Sequence, residues 1–189
     1  MTDIFKARGL SKREYLLFGQ ERHDYGRPKN QGYPSRSILK DGFLYINNLK
    51  PELWPSCDPE TGYLNTDGSP TKTAILQMHR SGADSTLWNL AFGKRPAEEL
   101  YDITTDPRCL LNLAGNPEFA KKKNQLHRIL FRDLKSQKDP RVTGNGDIFD
   151  SYPFFEQEDF YFYERYMAGE ADSLQTLSWV NASDFEPVH

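Results

Sequence analysis

Asp41-Gly42 lies between two runs of strand-forming residues, Arg36 to Leu39 and Phe43 to Ile46. Asp-Gly at a loop tip specifies a two-residue turn, because both residues tolerate positive φ. A β-hairpin follows, and the turn fixes its register. Leu39 sits opposite Leu44 and Ser37 opposite Ile46, while Ile38 faces Tyr45 on the other side. The pattern predicts an element packed over Leu39, Leu44 and Ile46, with Arg36, Lys40 and Tyr45 nearer to solvent or a ligand. The hairpin is the platform of a predicted α+β fold: a small antiparallel sheet, a packed amphipathic helix and an aromatic-rich C-terminal tail.

Around the hairpin the chain reads in order. Met1 to Lys12 is polar and reads as a frayed helix or the torn end of something longer. Arg13 to Gly19 is a compact apolar run that predicts a buried strand. Gln20-Glu21-Arg22-His23-Asp24 follows it, placing charges at a strand end, where side chains are held rigidly at the mouth of a pocket. Tyr25 to Gly32 is a loop, and Lys50 to Pro70 is a proline-rich, irregular excursion. Ser69 as N-cap and Pro70 at the first helical position open a helix that runs through Leu76 to about Arg80. Ser81-Gly82-Ala83 interrupts it before a second helical stretch around Leu87 to Phe92. Glu98 to Ile103 alternates as a short strand. Asn116-Pro117 then starts the long helix, whose apolar face holds Phe119, Leu126, Ile129, Leu130 and Leu134. Lys121 to Lys123 belong to its wet face, and Asp139-Pro140 stops it.

At 189 residues the length suits one domain. A formal net charge of -3 makes no case for nucleic acid as a general partner. No apolar run is long enough to cross a bilayer, and the first residues lack the apolar core and cleavage site of a signal peptide. Cys57 and Cys109 are too few for a disulfide framework, and with four histidines they make no zinc-ligand spacing. The tail from Asn145 onward holds Phe149, Tyr152, Phe154, Phe155, Phe160, Phe162, Tyr166, Trp179 and Phe185 among acidic residues. With so little aliphatic core of its own, it is predicted to wrap another surface.

The ordered segments FGQERHD, GYPSRSILKDGFLYINNLKPELWP, DPETGYLNTDGSPTK and FGKRPAEELYDITTDPRCLLNLA, with the DPR-G-GD-FD-YP elements after them, resemble the C-terminal region of sulfatases. They are most similar to bacterial enzymes of the heparan N-sulfatase (sulfoglucosamine sulfohydrolase) kind. The resemblance runs from about Tyr15 to Pro153. It divides the chain into a remnant of a preceding region (1-14), a C-terminal subdomain (15-140) and a wrapping tail (141-189). It implies a small sheet and one long helix docked beside a large α/β catalytic domain of the alkaline phosphatase type.

Sulfatases attack sulfur with a formylglycine made in a Cys-x-Pro-x-Arg or Ser-x-Pro-x-Arg motif, beside a calcium ion. Cys57-Asp58-Pro59-Glu60-Thr61 has Thr61 where the arginine belongs and lies in the loop after the hairpin, so it is rejected as a nucleophile. Calcium is implied for the complete enzyme, but no Asp-Asp or Asp-Asn pair supplies its ligands here, and neither a cofactor nor a catalytic residue is assigned to this chain.

For substrate binding the resemblance points to Glu21, Arg22 and His23. The two basic groups suit a sugar carboxylate or sulfate, and Glu21 suits sugar hydroxyls or a glucosamine nitrogen. An intra-sheet ion pair of Glu21 with Arg22 or Arg36 competes with that role. Asp24, Arg27 and Lys72 are further candidates. The expectation is a truncated, cleft-forming part of a hydrolase acting on a sulfuric ester or sulfamate of a sulfated sugar, inactive without its missing catalytic domain. The alternative is an independent carbohydrate-binding or protein-interaction module. A tail folded back over the hairpin sheet would favour the module, and a tail splayed as an open apolar surface would favour the missing domain.

Overall fold

Asp41 and Gly42 both take positive φ, 53° and 77°, so the turn closes in the geometry its sequence demands. A Cβ on Gly42 would also come within 2.6 Å of the Thr104 methyl. The structure, a computed structural model, describes residues 14–153, 161–170 and 179–187. Four strands, β1 (Leu16–Gln20), β2 (Ser35–Lys40), β3 (Phe43–Asn48) and β4 (Glu98–Asp102), form one antiparallel sheet in sequence order. The hairpin register is the expected one, with Leu39 opposite Leu44, Ile38 opposite Tyr45 and Ser37 opposite Ile46.

Five helices are described. Helix α1 (Pro70–Arg80) begins at Ser69, whose side chain accepts from the Lys72 amide, and α2 (Thr86–Ala91) follows the predicted break. The long α3 (Ala120–Ser136) is preceded by a 3₁₀ turn at Pro117–Phe119 that Asn116 caps. Asp139 then caps the short α4 (Pro140–Thr143). In the tail, α5 spans Phe162–Met167.

Helix α3 packs on the opposite sheet face from the one expected to be covered. Leu126, Leu130 and Leu134 meet Ile38, Tyr45 and Leu100, all six buried. Arg36 and Tyr45, expected near solvent, are therefore inside. Their polar groups are neutralised by residues far away in sequence: Arg36 by Glu21 and Asp139, and the Tyr45 hydroxyl by donating to Glu98 at 2.7 Å. β1 also differs from expectation. It is a sheet edge, and Leu16 and Phe18 are about half exposed, at 47% and 50%.

Two smaller cores lie beside the sheet. Tyr63, Leu76 and Phe92 bury α1 and α2 against the loop after the hairpin. Tyr25, Cys57 and Leu64 take in Phe162 and Val180 from the tail, with Tyr166, Trp179 and Phe185 packed around them. The tail thus wraps the loops on either side of the hairpin. Phe154, Phe155 and Phe160 lie outside the described residues, as does the expected frayed segment at Met1 to Lys12. A buried pair locks this arrangement: Lys72 Nζ lies 3.2 Å from Asp184 Oδ2 and donates to the carbonyls of Gly62 and Thr66 at 2.7 Å each.

The fully buried Leu130 has helix and sheet neighbours on all sides. Leu130→Ala is expected to destabilise the chain by about 2–5 kcal/mol, read from the denaturant midpoint. A loss under about 1 kcal/mol would mean that α3 is not seated on the sheet as described.

Candidate functional site

The end of β1 is fixed by charge. Glu21 accepts from Arg36 Nη2 at 2.6 Å and from Arg141 Nη2 at 2.8 Å. Arg36 also donates to Asp139 at 2.7 Å, and Arg141 reaches Asp150 at 3.2 Å. Asp150 in turn accepts from the Gly32 amide at 2.9 Å and from Lys50 at 3.1 Å. Burial works against the charge of Arg36, but Asp139 and Glu21 outweigh it and hold its pKa above the ordinary value. Burial likewise opposes ionisation of Asp150, which the Gly32 amide and Lys50 overcome, lowering its pKa. Arg22 donates to the carbonyls of Asn30, Asp150 and Tyr152. Arg141 also pairs with Asp147 at 3.2 Å, and Asp139, Arg141, Asp147 and Asp150 all come from the DPR-G-GD-FD segment.

This frame sets the three predicted substrate-binding residues on one groove. Glu21, Arg22 and His23 line it together with Ser56, Asn65 and Arg95, around a volume of about 470 Å³. The Glu21 carboxylate is committed to the two arginines, including the Arg36 pair foreseen as its competing role. The His23 side chain is 79% exposed, with Nδ1 3.9 Å from Asp24. Arg95, which the sequence reasoning passed over, brings a second cation to the groove. The signal for it lay in the proximity of residues 90–95 to Pro55, which only the tertiary fold creates.

The further candidates sit elsewhere. Asp24 is buried behind His23. Arg27 is fully buried and donates to the carbonyls of Trp54 and Pro55 at 2.8 Å each. Lys72 is enclosed in the clamp with Asp184.

The near-miss cysteine is placed as an inert group. Cys57 is fully buried, and its thiol donates to Asn65 Oδ1 at 3.1 Å. Burial pushes its pKa up to about 11, where a thiol at neutral pH is protonated and a poor nucleophile. Cys57 and Cys109 are both free thiols. Among the described residues no group of three or more His, Cys, Asp or Glu side chains is arranged to hold a metal ion.

A larger groove opens on the sheet face that α3 leaves free. Its floor is Ser37, Leu44, Ile46, Asn48, Glu99 and Tyr101, and its rim includes Phe18, Leu90, Arg95, Arg108 and Leu110, around about 520 Å³. Leu110 and Leu111 are exposed by 58% and 65%. Tyr33 also lines this groove, and its hydroxyl is buried with no hydrogen-bond partner among the described residues. Burial leads the rise of its pKa to about 12. This groove shares Gln20, Pro55 and Arg95 with the one at His23, so the two are continuous.

Much of this chain is similar in sequence to a segment of two curated sulfatases. An ulvan-active sulfatase from Formosa agariphila is 31% identical over 121 residues, which cover 61% of this chain and 21% of the relative. A second ulvan-active sulfatase of that organism is 32% identical over 105 residues, covering 52% of this chain and 16% of the relative. The chain accordingly spans about a fifth of the length of these curated relatives. No protein-family profile matches the chain.

Two outcomes test the geometry around Cys57. Under native conditions a thiol reagent is expected to label Cys109 and to reach Cys57 only on unfolding; fast modification of both thiols would contradict the buried placement. The neighbouring Asp58 has a buried carboxylate oxygen with no hydrogen-bond partner among the described residues, and burial raises its pKa from 3.8 to about 6. Because the folded value is raised, its contribution to stability is complete below the unfolded pKa and is lost as pH rises through about 6. Asp58→Asn is therefore expected to raise the thermal midpoint at pH 7 and to leave it little changed at pH 4. An equal effect at both values would contradict the shift.

Proposed function

We propose that the chain is the C-terminal, cleft-forming part of a sulfatase, acting with a catalytic portion to hydrolyse a sulfuric ester or sulfamate on a sulfated carbohydrate. The observation that carries this reading is the sheet face left open by the described residues. A sheet with α3 on one side and exposed Phe18, Leu110 and Leu111 beside the other has an apolar surface that water solvates poorly. The relatives supply the kind of partner, since about four-fifths of their length lies outside the matched segment. Formylglycine and calcium belong, in this reading, to that remainder.

Within the complete enzyme the continuous groove at Arg95 and His23 forms one wall of the cleft. His23 and Arg95 face the ligand and suit a sulfate or carboxylate, and Glu21 and Arg22 are the third and fourth polar groups on that wall. Their ties to Arg36, Arg141 and the 150–152 backbone hold the wall in place. Ulvan, after which the relatives are named, is the first polymer to try as substrate, with N-sulfoglucosamine as the test of the heparan N-sulfatase likeness.

A second reading, an independent binding module, draws on the tail. Among the described residues Phe162 and Val180 close over Tyr25 and Leu64, so the tail finds its partner within this chain. Its described residues do so without covering the open sheet face, which favours the first reading.

The purified chain, given an aryl sulfate and calcium, is expected to show no turnover. It is expected to bind an apolar fluorescent dye, and the double variant Leu110→Asp, Leu111→Asp is expected to lose most of that signal. Calcium-dependent turnover by the chain alone, or no dye binding at all, would overturn the proposal.

A further inference from the structure

Helix α3 carries six Lys or Arg residues against one Asp, within a chain of net charge -3. Some of these cations are used inside the fold. Lys123 donates to Glu98 at 2.8 Å, Lys122 pairs with Asp41 at 3.5 Å, and Arg132 pairs with its neighbour Asp133 at 2.7 Å. Lys121, Arg128 and Lys135 are exposed and have no ion-pair partner among the described residues. With Arg132 they recur at helical spacing along the side opposite the buried Leu126, Leu130 and Leu134.

This stripe has a shape as well as a charge. The rings of His127 and Phe131 stack at 4.3 Å beside it, and His127 Nδ1 is held 3.0 Å from the Tyr45 hydroxyl. Together with Asn124, Arg128, Arg132 and Lys135 the two rings line a shallow groove of about 470 Å³. The helix is pinned to the sheet by its leucines, so the cations are presented on a rigid backbone.

We propose that this outward face of α3 is a second carbohydrate-binding surface, which takes a linear sulfated polysaccharide along the helix. At a rise of about 1.5 Å per residue, Lys121 to Lys135 spans about 21 Å, with cations separated by about 10, 6 and 4.5 Å. That spacing suits a polymer with one charge every several ångströms. Duplex nucleic acid, with a charge about every 1.7 Å, demands a denser basic surface. The stacked His127 and Phe131 rings offer a wall for the apolar face of a sugar ring. The surface lies on the far side of the sheet from the open groove. It therefore stays accessible when a catalytic portion occupies that groove, and it would hold a polymer whose sulfates are processed elsewhere. In this last respect the inference rests on the sulfatase reading.

The test is binding of chondroitin sulfate to the purified chain at 50 and 200 mM salt, with neutral dextran and single-stranded oligo(dT) as controls. The variant Lys121→Gln, Arg128→Gln, Lys135→Gln is expected to bind chondroitin sulfate at least about tenfold more weakly. Its salt dependence is expected to flatten by about two units of logarithmic slope. Its thermal midpoint should be unchanged, because the three side chains are exposed and unpaired. The proposal is overturned if the variant binds like the original chain, if the original chain does not bind, or if oligo(dT) binds as tightly as the polysaccharide. This assay needs no turnover, so it is separable from the sulfatase reading. Turnover by the chain alone would sink that reading and leave a positive binding result standing.

Discussion

The placement of the whole candidate site depends on one carboxylate held between two arginines. Glu21 receives Arg36 from the neighbouring strand and Arg141 from the residues after α3, the latter 120 positions away in sequence. Asp139 and Asp150 complete the frame from the other side of both arginines. Removing two such charges from water is expensive, and their mutual attraction recovers that cost only when geometry and hydrogen bonds are good. Here nearly every polar atom of the frame has a partner. The frame therefore selects one position for the end of β1, and with it the direction in which His23 leaves the sheet.

Much of the local structure was legible because local chemistry sets it. Asp41-Gly42 fixed the register, Ser69-Pro70 the start of α1, and Asn116-Pro117 the approach to α3. The helical face of Leu126, Leu130 and Leu134 followed from period alone. The choice of hairpin face was not legible. Both faces carry apolar residues, and the one bearing Arg36 and Tyr45 looks wetter in isolation. It becomes the interior because Asp139, Glu21 and Glu98 arrive from distant parts of the chain. For the same reason β1 reads as a buried strand although it is an edge: an apolar run shows what a strand could bury, not whether anything lies over it. Glu21, Arg22 and His23 could be placed together from their position after a strand, whereas the approach of Arg95 to them needed the tertiary fold.

The sheet divides the molecule's tasks between its two sides. One side is finished by α3, whose leucines close the core and whose cations are turned outward. The other side is floored by a mixture of Leu44, Ile46, Asn48 and Glu99 that is neither a dry core nor an ordinary wet surface. The Asn48 side chain already donates to Glu99, and so does the Tyr101 hydroxyl. This face is thus internally ordered before anything docks on it, which limits the entropy lost when a partner arrives.

The clamp of Lys72 on Asp184 has a consequence in time. The carbonyls of Gly62 and Thr66 can gather the lysine as soon as α1 forms, but its counter-charge is encoded about a hundred residues later. At synthesis rates of about 5–20 residues per second, roughly six to twenty seconds pass before Asp184 exists. Throughout that interval a cation destined for the interior has the Gly62 and Thr66 carbonyls and the more distant charge of Asp67, but not its buried counter-charge. The region of Cys57 and Leu64 thus lacks Phe162, Val180 and Asp184 until the tail has been made, and its burial is completed only by residues near the end of the described chain.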